Sequence, residues 1–523
     1  MASVEPMGEP YELDGKRMAF MGWQFIRPAD FGWFDDQGVN VAVVGNQGPW
    51  DAHFRLTDRP FGIAIRALPA ERSAAPLTLD AVEPWEREGV RFEQFVQDSD
   101  AGCYRCWGRC RAGGQERMCY LESTDFQTWR RPRLGIVEFE GSRDNNLIQT
   151  DGGFGNIFKD PSRPDEPWKW IREAQITRAQ YDAFRAKYPT QYDPKSDRQD
   201  VPQNGDNLIV AVKGGVSPDG FRWTTLEEPL VVEHSDTRVN AYYDTRLEKY
   251  VGYFRDWMVE RRSPQAAPTR APSWLPSRRS IGRAVTDDFR HFPLSEVILE
   301  PGPEHLGPSD LIYTNAHTFV PGTRDQHLFL PVIWRATDDT SNMVVLSSSD
   351  GRLMHWLDGS PVLDTAAFGT WDGGCLFEAG GLLELPDGTW AQPYHGHNFP
   401  HKYPRKGPIT KGLGLARWPK GRMVALEARE LGEFTTFAVM PPGRRLRINA
   451  LTRRAGSVRV EVTGLDRKML PGRSFDDCRP IIGDQYRTLV TWNGSDDIGV
   501  SAGTPICLRF RLDQAQLFFV DFE

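Results

Sequence analysis

No apolar run in this sequence approaches the roughly 20 residues that a membrane-crossing helix needs, so no membrane partner is expected. Long runs of Lys and Arg are also absent and the formal charge is −8, which argues against a nucleic-acid partner. The first ten residues, Met-Ala-Ser-Val-Glu-Pro-Met-Gly-Glu-Pro, hold neither the basic nor the apolar segment of a signal peptide, and the expected location is the cytoplasm. Cysteine is scarce and odd in number, seven in 523 residues. Four of them, Cys103, Cys106, Cys110 and Cys119, cluster, but they contain a single Cys-x-x-Cys pair where a zinc site would want two. That pair lies along a strand-like run on which Cys106 and Cys110 share a face. Reduced, buried cysteines acting as small hydrophobes are the expectation, with no metal and no cofactor.

Aromatic residues are plentiful, with 17 Trp and 29 Phe. Many of them fall in a phrase that recurs: Ser-Thr-Asp125-Phe-Gln-Thr-Trp129, Ser217-Pro-Asp219-Gly-Phe-Arg-Trp223, Thr286-Asp-Asp288-Phe-Arg-His-Phe292 and, more loosely, Ser349-Asp350-Gly-Arg-Leu-Met-His-Trp356. Apolar strand-like runs precede and follow each copy, and an Asp turn between two strands is hairpin chemistry. Self-similarity at a spacing of roughly 40–70 residues, with insertions, marks a radial β-repeat.

Reading each repeat as four antiparallel strands gives an all-β chain: a five-bladed β-propeller over residues 86–430, followed by a C-terminal β-sandwich over 431–523. Alternating runs such as Val458-Arg-Val-Glu-Val support the sandwich. Met423-Val-Ala-Leu is expected as the outer strand of the fifth repeat. Residues 1–85 carry strand-like pieces (Val39-Asn-Val-Ala-Val-Val, Phe61-Gly-Ile-Ala-Ile) expected to pack on the propeller or complete a blade. Two insertions interrupt the repeats: a short helix from Thr177 with a polar loop after it, and a Pro/Arg/Ser-rich loop at Ser263–Arg279.

In such a ring the residues at the start of the inner strands face the channel mouth. These are Trp85 and Glu86, then Asn145 and Asn146, Asp236 with Asn240, Asp310 with Asn315 and His317, and Trp371 and Asp372 followed by Glu378. Acids converging on one pocket push one another's pKa apart, as acid/base chemistry needs. Tyr394, His395 and His397, with His401, offer a lyase-type Tyr/His pair or two metal ligands without an evident third. Arg255 and Arg335 end second strands and suit a sugar carboxylate or sulfate. The glycines from Gly152 lack the strand–loop–helix setting of a phosphate cradle.

Five blades, acids at the inner strands and a trailing sandwich resemble the glycoside hydrolases of families 32, 43 and 68. The phrase Asp236-Thr-x-x-Asn240-Ala-x-Tyr-Asp244, followed by Arg-Ala-Val-Thr-Asp-Asp288-Phe, is similar to bacterial family-32-like glycosidases. The chain lacks the Asn-Asp-Pro-Asn-Gly, Arg-Asp-Pro and Glu-Cys motifs of the invertase-like families. The resemblance implies hydrolysis of a furanosidic or acidic glycan by two carboxylates. Asp236 and Glu86 are the expected pair, with Asp372 or Glu378 as alternates. Asn145, Asn146, Asn240 and Asn315 would bind hydroxyls, and Trp85 or Trp371 would stack on a sugar. A carbohydrate is the expected partner, and homo-oligomerisation stays open. A polysaccharide lyase using Tyr394 with His395 or His317, and a glycan-binding protein without turnover, are the alternatives.

Overall fold

The structure, a computed structural model, describes residues 9–37, 40–41, 52–149, 153–189, 191, 209–258, 278–402 and 407–523. Most of the Ser263–Arg279 insertion, the loop after the short helix, Gly152, and residues 39 and 42–44 of the first strand-like piece lie outside the described residues. The chain is mostly β, and the one α-helix among the described residues, Arg178–Lys187, starts from a capping box between Thr177 and Gln180.

Five antiparallel sheets follow one another along the chain. Sheet one is Val90–Asp98, Cys103–Ala112 and Gln115–Ser123. Sheet two is Asn156–Lys159, Trp168–Ile176, Ile209–Ser217 and Thr224–Thr225. Sheet three is Asn240–Asp244, Lys249–Met258, Arg278–Thr286 and Glu296–Leu299. Sheet four is built on Asp310–Phe319 and His327–Arg335, and sheet five on Cys375–Glu378, Trp390–His397 and Lys411–Trp418. The first strands touch in a closed cycle, one to two, two to three, three to four and four to five. Leu383–Glu384 of sheet five returns to the first strand of sheet one.

The recurring phrase has a physical explanation. Its hydroxyl residue, Ser123, Ser217, Thr286 or Ser348, is the last residue of a third strand. In three copies the Asp carboxylate accepts two backbone N–H bonds, Asp125 from Gln127 and Thr128, Asp219 from Phe221 and Arg222, and Asp350 from Arg352 and Leu353. These bonds hold the Asp125 carboxyl down at about 2. The aromatic that follows packs on the preceding sheet: Phe221 on Tyr120 at 4.6 Å, Phe289 on Phe158 at 5.8 Å. Trp107 of sheet one also donates its indole N–H to Gly220 O in the turn of sheet two, at 2.8 Å. The phrase therefore makes a turn and joins neighbouring sheets.

Sheet five departs from the sequence reading. Val424–Thr435, which includes most of the expected outer strand, pairs instead with Ala64–Ala67 and Cys507–Phe522 in a sixth sheet. The outer edge of sheet five is filled from the N-terminal region by Glu71–Arg72, which pairs with Ala416 and Arg417. Arg17–Ala19 joins the sixth sheet as well, and Asp30–Phe34, Asn40–Val41 and His53–Thr57 form a small separate sheet. Residues before 85 thus add strands both to sheet five and to the sixth sheet, and the strand that closes sheet five is taken from the other end of the chain.

The sixth sheet has a core of its own around Phe434, Val460 and Phe510, and it shares a second one with the ring. Phe518 and Phe519 are buried with Leu328, Leu330 and Trp390, and Phe519 stacks on Trp390 at 6.0 Å. Arg17 ties to Asp521 at 2.8 Å from between them. Each of these rings is worth about 1.5–3 kcal/mol when buried. A chain ending near residue 430 is therefore expected to lose solubility and stability before any change in substrate range. Soluble yield and thermal midpoint measure this, and a soluble truncated protein with an unchanged midpoint would contradict it.

Cys106, Cys110 and Cys119 are buried, unbridged and packed with Leu121 and Phe95, and burial pushes the Cys106 thiol far above its usual range. Among the described residues no group of three or more His, Cys, Asp or Glu is placed to hold a metal ion. Cys106→Ser is expected to cost on the order of 1–2 kcal/mol in chemical denaturation and to leave turnover unchanged. Stoichiometric zinc lost together with activity on chelation would refute this.

Candidate active site

Several second strands overshoot the first strands they pair with, and their ends build a rim. In sheet two the pairing with the first strand stops at Ile171, and the strand continues toward the rim through Arg172 and Glu173, paired there only with the third strand. In sheet three it stops at Tyr253, leaving Arg255 and Trp257 above it. The first strands meet below this rim. Asn240 Nδ2 donates to Asn315 O at 2.5 Å, Ala241 N to Asn156 Oδ1 at 2.9 Å, and Arg238 to Gln94 Oε1 at 2.5 Å.

Asp236 stands at this rim with 36% of its side chain exposed, so a solute can reach it. Arg255 Nη1 donates to its Oδ1 at 2.7 Å, Trp257 Nε1 to the same oxygen at 3.2 Å, and His234 Nε2 lies 3.8 Å from Oδ2. Burial works to raise its pKa, but the charge of Arg255 and the contact with His234 outweigh it and hold the carboxyl well below the usual range. Glu173 differs. Its side chain keeps a solvent-facing surface, and its pKa is raised by the protein atoms crowded around it and by the charge of Asp236. Two carboxylates at one mouth, one held ionised and the other pushed toward its neutral form, are the unequal pair of acid/base chemistry.

An aromatic wall adjoins the pair. Arg255 lies over Tyr313 at 4.4 Å, and Tyr313 packs edge-on against Trp334 at 5.7 Å and His401 at 4.8 Å. His401 Nε2 is 2.6 Å from the Tyr313 hydroxyl, and burial lowers its pKa to about 4, so it is neutral at pH 7. His395 is likewise neutral, pushed down to about 3 by burial and the charge of Arg238. Glu93, the extra residue of a bulge in the first strand of sheet one, is bound by Arg109 at 2.7 Å and acts on Arg238 through its charge.

Glu378 forms the floor. Its carboxyl is buried, hydrogen-bonded to Thr314 Oγ1, and burial raises its pKa to about 8 against the opposing charge of Arg238. A folded-state pKa above the unfolded value means its contribution to stability is fully present below about pH 4 and is lost as pH rises toward 8. Glu378→Gln removes that loss. The variant is expected to show a smaller fall in thermal midpoint between pH 5 and pH 8 than the parent chain. An identical fall in both, followed by scanning calorimetry, would contradict the assignment.

The remaining sequence candidates occupy other surroundings. Glu86 is fully enclosed, paired with Arg131 at 2.6 Å, and accepts from Val82 N, so its carboxylate faces no open space. Asp372 is bound by Arg72 at 2.5 Å and by the Tyr394 hydroxyl at 2.8 Å, clamping the closing strand onto sheet five. Trp371 stacks on Tyr394 at 5.6 Å in the same clamp. Trp85 donates to Asn146 at 2.6 Å, and Asn145 and Asn146 donate to Val137 O and Tyr120 O. Asp310 caps a local turn through Gly307 N, and Arg335 pairs with Asp364 at the edge of sheet four. His317 stacks on Tyr242 at 4.4 Å in the core. Asp236 and Arg255 are drawn to the rim, with Asn240, Asn315, Glu378 and His395 beneath.

Glu173, Trp257 and Arg238 were not among the candidates, because the acids were sought at the start of the inner strands and Glu173 lies on a second strand. The signal available was the change within Trp168–Ile176, where Trp-Lys-Trp-Ile, buried on both faces, gives way to exposed Glu173 and Gln175.

No family model matches this chain, and no curated protein matches it. Solved structures do. The GH32 β-fructofuranosidase of Bombyx mori is 8% identical, with a TM-score of 0.32 over 89% of this chain and 94% of that one. A protein described as a glycoside hydrolase is 9% identical, with a TM-score of 0.38 over 68% and 92%. An N-acetylgalactosamine deacetylase of F. plautii is 11% identical, with a TM-score of 0.39 over 68% and 96%. At such scores none supplies a residue correspondence, and the functional reading rests on the site itself.

Proposed function

We propose that this chain is a glycoside hydrolase on a five-bladed β-propeller with a trailing β-sandwich, acting through Asp236 and Glu173. The closed cycle of five sheets supports the propeller, and the sixth sheet with its own core supports the sandwich. The observation that carries the activity is the pair of carboxyls displaced in opposite directions at one mouth. Glu173, protonated, gives its proton to the leaving glycosidic oxygen; Asp236, ionised, attacks the anomeric carbon or activates water. Arg255 keeps Asp236 ionised and aimed, and the half-buried Tyr313 offers surface for a sugar ring. The pairing with Glu86 is replaced, because Arg131 already neutralises that carboxylate inside the protein.

A lyase built on Tyr394 fits less well, since that hydroxyl is buried on Asp372. A glycan panel separates the readings. Released reducing ends without ultraviolet absorbance mark hydrolysis, an absorbing unsaturated product marks a lyase, and binding without either marks a glycan-binding protein.

A further inference from the structure

The side chains around Asp236 carry more positive charge than the described residues balance. Arg279 is only 5% exposed, yet its Nε is buried without a hydrogen-bond partner, and among the described residues no carboxylate lies within ion-pair reach of it. Its guanidinium lies over Trp257 at 4.3 Å, Tyr313 at 5.0 Å and Trp334 at 5.4 Å, the wall that flanks Asp236. Aromatic faces stabilise a cation in part, but a desolvated guanidinium still lacks a counter-ion. Burial and the charge of Arg255 both bear on it, and Arg279 and Arg255 in turn repel the exposed Lys402 next to it. Besides Glu173, whose carboxyl is pushed toward its neutral form, two acids oppose these three cations. Asp236 already binds Arg255. Asp339 accepts from Trp334 Nε1 at 2.7 Å and from Lys402 N at 2.6 Å. His401 is neutral, so the group keeps one uncompensated positive charge.

We propose that Arg279 and Lys402 form an anion-binding subsite next to the Asp236/Glu173 pair, and that the substrate is an acidic glycan whose carboxylate or sulfate group occupies it. The inference rests on the glycosidase reading. A planar fork held between aromatic rings is pre-shaped for two parallel N–H···O bonds to a carboxylate or sulfate. The rings that hold the fork would also meet an apolar face of the same sugar. Lys402, at the exposed side, adds a point charge that draws the anion in.

The test compares matched substrates on the full chain: oligouronides against their carboxyl-reduced counterparts, and sulfated glycans against desulfated ones. One acidic series is expected to be cleaved with a kcat/KM well above its neutral counterpart, and the favoured series tells carboxylate from sulfate. Arg279→Gln is expected to lower kcat/KM for that acidic substrate by roughly 10–150-fold, the worth of a charged hydrogen bond, and to leave the neutral one within about twofold. Lys402→Ala, at an exposed position that the fold does not need, is expected to lower the acidic substrate alone by several-fold. Preferred cleavage of neutral glycans, or equal losses on both members of a pair in Arg279→Gln and none in Lys402→Ala, would overturn the subsite while leaving the glycosidase reading intact. Cleavage of neither member of any pair would bring down the glycosidase reading itself, and the subsite with it.

Discussion

Asp236→Asn is expected to lower turnover by about four orders of magnitude while the protein stays folded. The substitution keeps an oxygen for the bonds from Arg255 and Trp257 but removes the charge that must attack or activate water. Little stability should go with it. Breaking a sealed ion pair is costly, but this carboxylate is partly open to solvent, and Arg255 keeps its bond to Tyr313 O at 3.1 Å and its place over the Tyr313 ring. The expected cost is on the order of 1 kcal/mol, a shift of a few degrees at most. Reducing-end release and a thermal melt, run side by side, check both halves. Full activity would remove Asp236 from the chemistry. A collapse of the melt would make its role structural.

Glu173→Gln should act differently. General acid catalysis contributes typically 10²–10⁴-fold, so the rate on a natural glycan, whose leaving alkoxide needs a proton, is expected to fall by roughly that factor. On an aryl glycoside with an acidic phenol as leaving group the loss should nearly vanish, because such a group departs without help. Equal losses on both substrates would contradict the role of proton donor.

The parts of the fold that were readable are those written locally. A hydroxyl residue, an Asp two positions later and an aromatic beyond it make one turn wherever they occur, and Asp125, Asp219, Asp288 and Asp350 all stand in such turns. A blade completed from residues before 85 was an open expectation, but which strand closes sheet five was not readable. Val424–Thr435 has the apolar pattern of an outer strand, but whether it pairs with Lys411–Trp418 or with Cys507–Phe522 depends on partners distant in sequence. Arg72 and Asp372, which meet at 2.5 Å, give no local sign of each other. The same limit explains the site. Asp236 was found because it opens an inner strand, and Glu173 was missed because the rim depends on how far a second strand overshoots its partner. Glu86 and Asp372 had the right residue type and position, but each meets an arginine brought in by tertiary structure, and a carboxylate so neutralised inside the protein holds a sheet together.

The most direct measurement is the pH dependence of kcat/KM for the parent chain and Glu173→Gln on one cleaved glycan. Asp236 must be ionised and Glu173 protonated, so activity in the parent should fall on the acid side as Asp236 takes up a proton and on the alkaline side as Glu173 loses its own. With Asp236 held well below the usual carboxylate range, the acid limb should lie at low pH, and the raised Glu173 should place the alkaline limb above the ordinary Glu range. In Glu173→Gln the alkaline limb should disappear while the acid limb remains. The same alkaline limb in both proteins would show that another group supplies the proton, and the assignment of this carboxyl pair would fall.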